Sequence, residues 1–299
     1  MFKRMFLFVL VNILIITTIS IVFQMVTSML GISPDYLSSY YGIDYVSLFV
    51  FCFVWGMGGA FISLALSRVM AKWMMGVHLI DPRKANEEER FVYDTVKALS
   101  MKAGLPMPEV GIYEGAEVNA FATGPSKKRS LVAVSRGLLS AMDRDEIDGV
   151  LGHEISHIAN GDMVTMTLLQ GVLNTFVIFL ARVVGTVIDR AISGNRDNGG
   201  GGIAYFLIVM VLQVVLGILA SVIVMAFSRW REFRADAGSA RLSSKQKMIS
   251  ALERLGQGRG ENSLPSAIQA FGIAGGGMRK LFSSHPPIEE RIAALRKAG

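Results

Sequence analysis

The sequence contains little charge and almost no cysteine. Of its 299 residues 18% are charged, whereas charged residues make up about 25% of a typical soluble domain. Its one cysteine, Cys52, lies in an apolar run, so an internal disulfide framework is excluded. Intrinsic disorder is excluded as well, because 52% of the residues are hydrophobic. The composition therefore points to a protein that contacts lipid.

Charge is almost completely missing from four stretches, at residues 5–30, 45–67, 163–181 and 198–228. A helix needs about 20 predominantly apolar residues to cross a bilayer. The first, second and fourth stretches meet this requirement, whereas polar residues dilute the third and Arg182 interrupts its far end. The first stretch is too long for the apolar region of a signal peptide, so we expect a retained span.

Two polar regions lie outside these stretches. Residues 68–162 contain 12 basic and 14 acidic residues, whereas residues 229–299 contain 13 basic and 6 acidic residues. Basic residues that flank the spans, such as Lys3, Arg68 and Arg229, predict that both regions face the cytoplasm. The basic tail lacks any nucleic-acid motif, so we expect no nucleic-acid partner. Attraction to anionic lipids and an ordinary solvated surface both stay open for it.

Two of the four histidines lie four residues apart, in His153-Glu-Ile-Ser-His157. Asp143 and Gly161 are suited to begin and end a helix around this segment, and on such a helix both imidazoles share one face. The pattern is that of a zinc site, in which Glu154 is placed to act as the general base on a metal-bound water. Two metal-free core histidines are the alternative, which leaves Glu154 buried at an uncompensated cost.

Two histidines do not complete a zinc site, and a carboxylate is a common third ligand. The best candidate is Glu232, because Asp236 follows it by four residues. One helix could then present Glu232 to the metal and Asp236 to the outer N–H of a ligand histidine. The alternative is a solvated surface cluster with Arg231 and Arg234. Spacing alone leaves both open.

These motifs resemble one known family. HEISHIANGD at residues 153–162, REFRAD at 231–236, SHPP at 284–287 and VNAFATG at 118–124 are similar to segments of the HtpX family of membrane-embedded zinc metalloproteases, which is related to the CAAX prenyl proteases. The resemblance extends along essentially the whole chain. It implies a zinc endopeptidase with one Zn²⁺ per chain and Glu232 as the third ligand.

The resemblance also implies a fold and a cellular setting. The implied fold is a mainly α integral membrane protein, with up to four transmembrane helices and a cytoplasmic α+β zincin-like domain that carries a small sheet. The implied location is the bacterial inner membrane. The implied role is quality control of misfolded or damaged membrane proteins as part of a stress response. Protein substrates, the lipid bilayer and other membrane proteases are the implied partners.

The spans and motifs together divide the chain into four regions. We expect two transmembrane helices in 1–67, the first part of the protease domain with the active-site helix in 68–162, two further hydrophobic helices and a glycine-rich loop in 163–228, and the second part of the protease domain in 229–299. Because His157 and Glu232 must reach one ion, the two hydrophobic helices between them either both cross the membrane or both do not.

Shorter elements fill the polar regions. Hydrophobic patterns predict helices at 85–103 and 288–297, and strands at 109–113, 118–123 and 130–135. The resemblance implies that 118–123 is an edge strand that pairs with extended substrate, with Asn119 and Ala120 nearest the site. An ordinary core strand is the alternative.

The two remaining histidines, His78 and His285, differ in their expected roles. The resemblance places His285, which precedes two prolines, near the metal, where an imidazole could stabilise the oxyanion of the tetrahedral intermediate. A structural cap contact is the alternative. We interpret His78 as an interfacial residue and not as a ligand.

The leading hypothesis is zinc-dependent hydrolysis of peptide bonds. Two alternative functions stay open. One is the processing of prenylated C-termini, as in the related CAAX proteases. The other is a zinc-stabilised membrane adaptor that binds client proteins without cleaving them.

Overall fold

A computed structural model of the chain describes residues 45–193, 202–258 and 284–297. The predicted span at 5–30 lies outside the described residues, as does most of the glycine run that begins at residue 199. The chain forms two compact units. The first, which we call the membrane unit, comprises residues 1–63 and 167–224, and the second, the polar unit, comprises residues 64–166 and 225–299.

The described residues contain eight helices and four strands. The helices are α1 (Tyr45–Met75), α2 (Glu87–Lys102), α3 (Arg136–Ala141), α4 (Arg144–Asn160), α5 (Asp162–Ser193), α6 (Ile203–Leu242), α7 (Lys245–Gly258) and α8 (Ile288–Lys297). The strands are β1 (His78–Leu79), β2 (Glu109–Tyr113), β3 (Ala120–Ser126) and β4 (Arg129–Ser135).

Three of the described helices are long and apolar enough to cross a membrane. The candidate spans are Ser47–Met75, Asp162–Asp189 and Ile203–Leu242. The polar residues in the third predicted stretch therefore do not interrupt the helix, because an α-helix satisfies its backbone hydrogen bonds within itself whatever its side chains. These apolar helices make the chain a membrane protein.

Small residues allow close helix packing in the membrane unit. A side chain on Gly56 would collide with the backbone of Thr175, and one on Gly171 would collide with Met57. Small residues at such contacts let helix backbones approach, which is how helices associate where no hydrophobic driving force exists. The Arg182 guanidinium lies 5.1 Å from the ring centre of Phe51, in the geometry of a cation–π contact.

The polar unit is built around a small mixed sheet with the strand order β1-β2-β4-β3. Strand β4 is central and almost wholly buried; β2 pairs with it in parallel and β3 in antiparallel orientation. Strand β3 is therefore an edge strand. His78 lies in β1, where it pairs with Ile112 of β2, and it is not part of the group of potential metal ligands found among the described residues.

The observed β3 begins two residues later and ends three residues later than predicted. It continues as a hairpin with β4 through Ser126, which pairs with Arg129. The register shifts between Thr123 and Ser126. Gly124 in this segment has a φ of 141°, a backbone angle that residues with a side chain rarely adopt. The polar residues of this hairpin do not predict a strand, because the extent of β3 depends on its hydrogen bonds to β4.

Helix α4 carries both motif histidines and begins and ends as its sequence predicts. Asp143 caps its first turn in a reciprocal capping box with Glu146. Gly161 ends it with a left-handed φ of 71°. The apolar face of α4, which includes Leu151 and Ile155, is fully buried in the same core as the sheet.

Helix α4 also packs closely against the C-terminal part of α6, through glycines and serines on both helices. The hydroxyl of Ser239 donates a 2.7 Å hydrogen bond to the Gly149 carbonyl. A Cβ atom on Gly152 would lie 2.7 Å from the Ser239 hydroxyl. A Cβ atom on Gly238 would lie 2.6 Å from the Cβ of Ser156. The two backbones could not approach this closely with larger residues.

We expect Gly238→Ala to destabilise the protein by about 1–3 kcal/mol, because the added methyl forces α4 and α6 apart. Thermal unfolding of the detergent-purified protein measures this effect. Gly217→Ala is the matched control in the same helix, since no atom lies within 4 Å of its added methyl and alanine favours helix. Equal unfolding temperatures for the two variants would show that this packing is loose.

Candidate metal centre

Three buried side chains converge between α4 and α6. The Nε2 atoms of His153 and His157 lie 3.1 Å apart. Each lies close to a different oxygen of Glu232: Oε2 is 3.4 Å from His153, and Oε1 is 3.3 Å from His157. These three residues form the one group of potential metal ligands found among the described residues. Glu232 is 1% exposed, so the alternative of a solvated surface cluster is wrong.

The spacing of these nitrogen and oxygen atoms fits a metal ion. A tetrahedral zinc ion with bonds of about 2.0–2.1 Å holds its ligand atoms about 3.3 Å apart. The three observed distances, 3.1, 3.3 and 3.4 Å, all lie near this value. Two imidazole nitrogens and a carboxylate oxygen also form a typical donor set for a catalytic ion, which keeps one position open for water. The residues present therefore fit a metal ion.

Each histidine is oriented by a carboxylate at its other ring nitrogen. His153 Nδ1 lies 2.9 Å from Asp236 Oδ1, and His157 Nδ1 lies 2.6 Å from Asp162 Oδ2. Such contacts hold the proton on Nδ1 and leave the Nε2 lone pair for the metal. The contact with Asp236 is the one that the four-residue spacing predicted. Sequence reasoning missed Asp162, although an acid directly after the helix-ending Gly161 was a usable signal.

An arginine far along the chain completes the buried network. Arg291, on α8, donates hydrogen bonds of 2.8 Å and 2.6 Å to the two carboxylate oxygens of Asp236. Its guanidinium also lies 3.6 Å from Glu232 Oε2. Only 6% of Arg291 is exposed. No local pattern marks this residue, since α8 reads as an ordinary short amphipathic helix.

The carboxylates favour positive charge between them. Burial lowers the pKa of His153, but hydrogen bonds to Asp236 and Glu232 outweigh burial and raise it to about 9. A metal ion can supply the positive charge in place of the proton, with the imidazoles neutral.

A cavity of about 550 Å³ opens beside these residues. His153, Glu154 and Glu232 lie on its wall, together with Asn119 and Ala120 at the start of the edge strand. Ser135 fixes the backbone just before this edge strand. Its hydroxyl donates a hydrogen bond to the Glu117 carbonyl at 2.5 Å and accepts one from the Asn119 N–H at 3.1 Å. A peptide in the cavity can therefore contact the edge strand and Glu154 together.

His285 reaches the same cavity from the segment before α8. Its Nδ1 atom lies 2.8 Å from Glu232 Oε2, and its side chain is 43% exposed. The structure thus brings His285 to a candidate metal ligand. All eight residues that the sequence singled out for the site meet in the polar unit, and Asp162 and Arg291 join them.

Known proteins match this chain along most of its length. Residues 86–298 match the model of peptidase family M48. The chain is 55% identical over 302 residues to Protease HtpX of Xanthomonas oryzae pv. oryzae (strain MAFF 311018) and to that of Xanthomonas axonopodis pv. citri (strain 306). Each alignment covers 100% of this chain and 98% of the relative.

A solved structure shares the fold. The crystal structure of S. mikatae Ste24p is similar with a TM-score of 0.65 at 18% sequence identity. The match covers 98% of this chain and 65% of the Ste24p chain. The likeness shows that the two proteins share a fold.

We expect Asp236→Asn to weaken divalent metal binding about 10–100-fold, because an amide holds the Nδ1 proton of His153 less strongly than a carboxylate does. Competition with a chromophoric chelator measures the affinity of the metal-stripped protein. Asp94→Asn is the matched control, since Asp94 is exposed on α2. Unchanged affinity in Asp236→Asn would mean that Asp236 does not act on the metal through His153.

Proposed function

This chain belongs to peptidase family M48 and is a membrane-anchored metalloendopeptidase, and from that premise we propose that it uses one Zn²⁺ per chain, held by His153, His157 and Glu232. The observation that carries this proposal is the convergence of one ligand atom from each of these three residues, all within 4.8 Å of one another. Imidazole and carboxylate also bind other divalent ions. A tetrahedral donor set of two histidines and one glutamate favours zinc among them.

The reaction we propose is hydrolysis of a peptide bond. Held by His153, His157 and Glu232, a zinc ion would supply Lewis acidity toward the scissile carbonyl and toward a water molecule. Glu154 accepts a proton from the attacking water and then delivers it to the leaving amine. Its place on the cavity wall beside His153 supports this role. Asp236 and Asp162 hold the two imidazoles, and Arg291 holds Asp236.

Substrate binds, in this proposal, as an extended segment along β3. The edge of β3 that faces away from β4 offers backbone groups, and Asn119 and Ala120 lie where this edge meets the cavity. Backbone pairing gives affinity with little dependence on sequence. An edge position favours this role over that of an ordinary core strand.

His285 is our candidate for stabilising the oxyanion. Its exposed imidazole lies at the cavity, next to the carboxylate of Glu232. An N–H group there can donate to negative charge as it develops on the scissile oxygen. The same contact would let His285 position Glu232.

We further propose a location in the bacterial inner membrane with the polar unit in the cytoplasm. Arg68 and Lys72 follow one apolar segment, and Arg229 and Arg231 follow another, as the positive-inside rule requires. The four-region division at 1–67, 68–162, 163–228 and 229–299 goes with this topology.

Misfolded or damaged membrane proteins are the substrates we propose, in a quality-control role shared with other membrane proteases. A site that recognises an extended backbone suits unfolded segments of many sequences. This hypothesis is favoured over a non-proteolytic adaptor because the relatives that match along their whole length are named proteases, and over CAAX-type processing because that name is Protease HtpX.

Glu154→Gln tests the mechanism. We expect the variant to keep its fold and about one zinc per chain but to lose casein cleavage by at least about 100-fold, because an amide cannot accept the proton. Cleavage is followed on the detergent-purified, full-length protein, with and without a chelator.

Glu253→Gln is the matched control, since Glu253 is half exposed on α7 and pairs with Arg296. Undiminished cleavage in Glu154→Gln would refute the role of this residue. Zinc binding without any metal-dependent cleavage by the wild-type protein would favour the adaptor, and cleavage of prenylated peptides alone would favour CAAX-type processing.

The orientation is tested with single cysteines in a Cys52→Ser background. We expect Asp35→Cys, between the first two predicted spans, to react with a membrane-impermeant maleimide in intact spheroplasts. Ser140→Cys, exposed on α3, should react only after permeabilisation. The reverse labelling pattern would place the polar unit outside the cytoplasm.

A further inference from the structure

The β3–β4 hairpin ends in three consecutive basic residues. Lys127, Lys128 and Arg129, which we call the basic tip, are all exposed. Ser126 pairs with Arg129 across the turn. The Ser130 hydroxyl donates a 3.3 Å hydrogen bond to the Lys127 carbonyl, which also stabilises the turn. Within the described part of the chain, no carboxylate forms an ion pair with any residue of the basic tip. The hairpin therefore presents a concentrated positive charge that these residues leave unneutralised.

Basic residues elsewhere in the polar unit differ in this respect. Arg68 and Lys72, near the end of α1, each lie 3.0 Å from a carboxylate oxygen of Glu109 at the start of β2. Their charges are used to connect α1 to the sheet. The basic tip makes no such connection, so its charge is available to an anion from outside the chain.

The basic tip lies beside the start of an apolar helix. A Cβ atom on Gly161 would lie 3.9 Å from the Cε atom of Lys127, and α5 begins at the next residue, Asp162. Residues 163–181 of α5 are free of charge. At a rise of 1.5 Å per residue this stretch is about 29 Å long, close to the roughly 30 Å of a hydrocarbon core. The start of α5, and Lys127 with it, therefore lies at the level of the lipid headgroups.

Two exposed tryptophans of the polar unit also indicate a membrane interface. Trp73 on α1 and Trp230 on α6 are each 52% exposed. The Arg234 guanidinium lies 4.7 Å from the ring centre of Trp230. Tryptophan is enriched where a protein crosses from lipid to water, because its ring is apolar and its N–H is polar. The polar unit thus carries interfacial residues of its own on two helices.

We propose that the basic tip binds the phosphate groups of anionic phospholipids at the membrane surface. Ammonium and guanidinium groups both form charge-assisted hydrogen bonds with phosphate. Basic residues close to an anionic leaflet are attracted to it, and the attraction increases with their number. The position beside the start of α5 favours a lipid partner over an acidic protein segment. This interaction goes beyond the proposed proteolysis and does not depend on it.

Strand β3 connects this lipid contact to the cavity. Ala120, at the start of β3, lines the cavity together with Glu154, whereas Ser126, at its end, directly precedes the basic tip. A strand of this length extends about 20 Å. If β3 pairs with substrate as proposed above, the lipid contact holds one end of the substrate-binding strand at the surface from which a membrane-protein segment emerges.

A fluorophore on Ser126→Cys, in a Cys52→Ser background, tests where the basic tip lies. The purified full-length protein is placed in nanodiscs of equal parts phosphatidylcholine and phosphatidylglycerol that contain a lipid with a spin-labelled headgroup. We expect this lipid to quench the fluorophore strongly. The control is Ser140→Cys, exposed on α3, which follows the opposite end of β4, and it should be quenched little. Equal quenching at the two positions would overturn the proposal, whatever the proteolytic activity.

Removing the charge of the basic tip gives a second test. With all three of its residues changed to glutamine, quenching at Ser126→Cys should fall at least about twofold, because the attraction to the anionic lipid is lost. High salt, or pure phosphatidylcholine, should weaken quenching of the unaltered tip in the same way.

The matched control combines Arg90→Gln, Lys97→Gln and Arg144→Gln. These changes remove the same charge from exposed positions on α2 and at the start of α4. Arg144 lies about 25 Å from Gly161 along the helix, so the control should leave quenching unchanged. Unchanged quenching after loss of the tip charge would refute anionic-lipid binding. If that variant instead cleaved acidic peptides more slowly, with unchanged quenching, the basic tip would belong to substrate binding and the proposal would fail.

Discussion

The close approach of α4 and α6 is the constraint on which the rest of the site depends. Glycine and serine residues at this contact allow the two backbones to come together, and Ser239 bonds directly to the carbonyl of Gly149. Only at this distance can a carboxylate from α6 meet two imidazoles from α4 with the spacing that one metal ion requires. A side chain of ordinary size at Gly238 would separate the ligands before any chemistry began.

Burial of these ligands then dictates their surroundings. Carboxylates and imidazoles removed from water must be paired, and the structure supplies Asp162, Asp236 and Arg291 as partners. The resulting network favours a cation at its centre and fixes which ring nitrogen of each histidine faces it. The apolar residues that line the same cavity need no such pairing.

Local signals predicted individual elements well. The helix that carries both histidines begins at a capping box and ends at a left-handed glycine, and both features involve residues adjacent in sequence. Helix α8 was predicted with the bounds that it has, because two prolines precede it. Strand β3 was misplaced by two to three residues, since its ends depend on hydrogen bonds to β4. The two-residue strand at His78 was not predicted, because nothing in the residues near it indicates a strand.

The sequence by itself determined the apolar helices, the active-site helix with its two histidines and Glu154, and the pairing of Glu232 with Asp236 on one helix face. Each of these follows from composition or from a spacing of a few residues, which the geometry of a helix converts directly into position. Tertiary structure alone decided that Glu232 is a buried partner of both histidines and not part of a surface cluster. It also placed Arg291 in hydrogen-bond contact with Asp236, although the two residues lie 55 positions apart along the chain. Contacts of that kind depend on how helices pack, and no local pattern of residues encodes them.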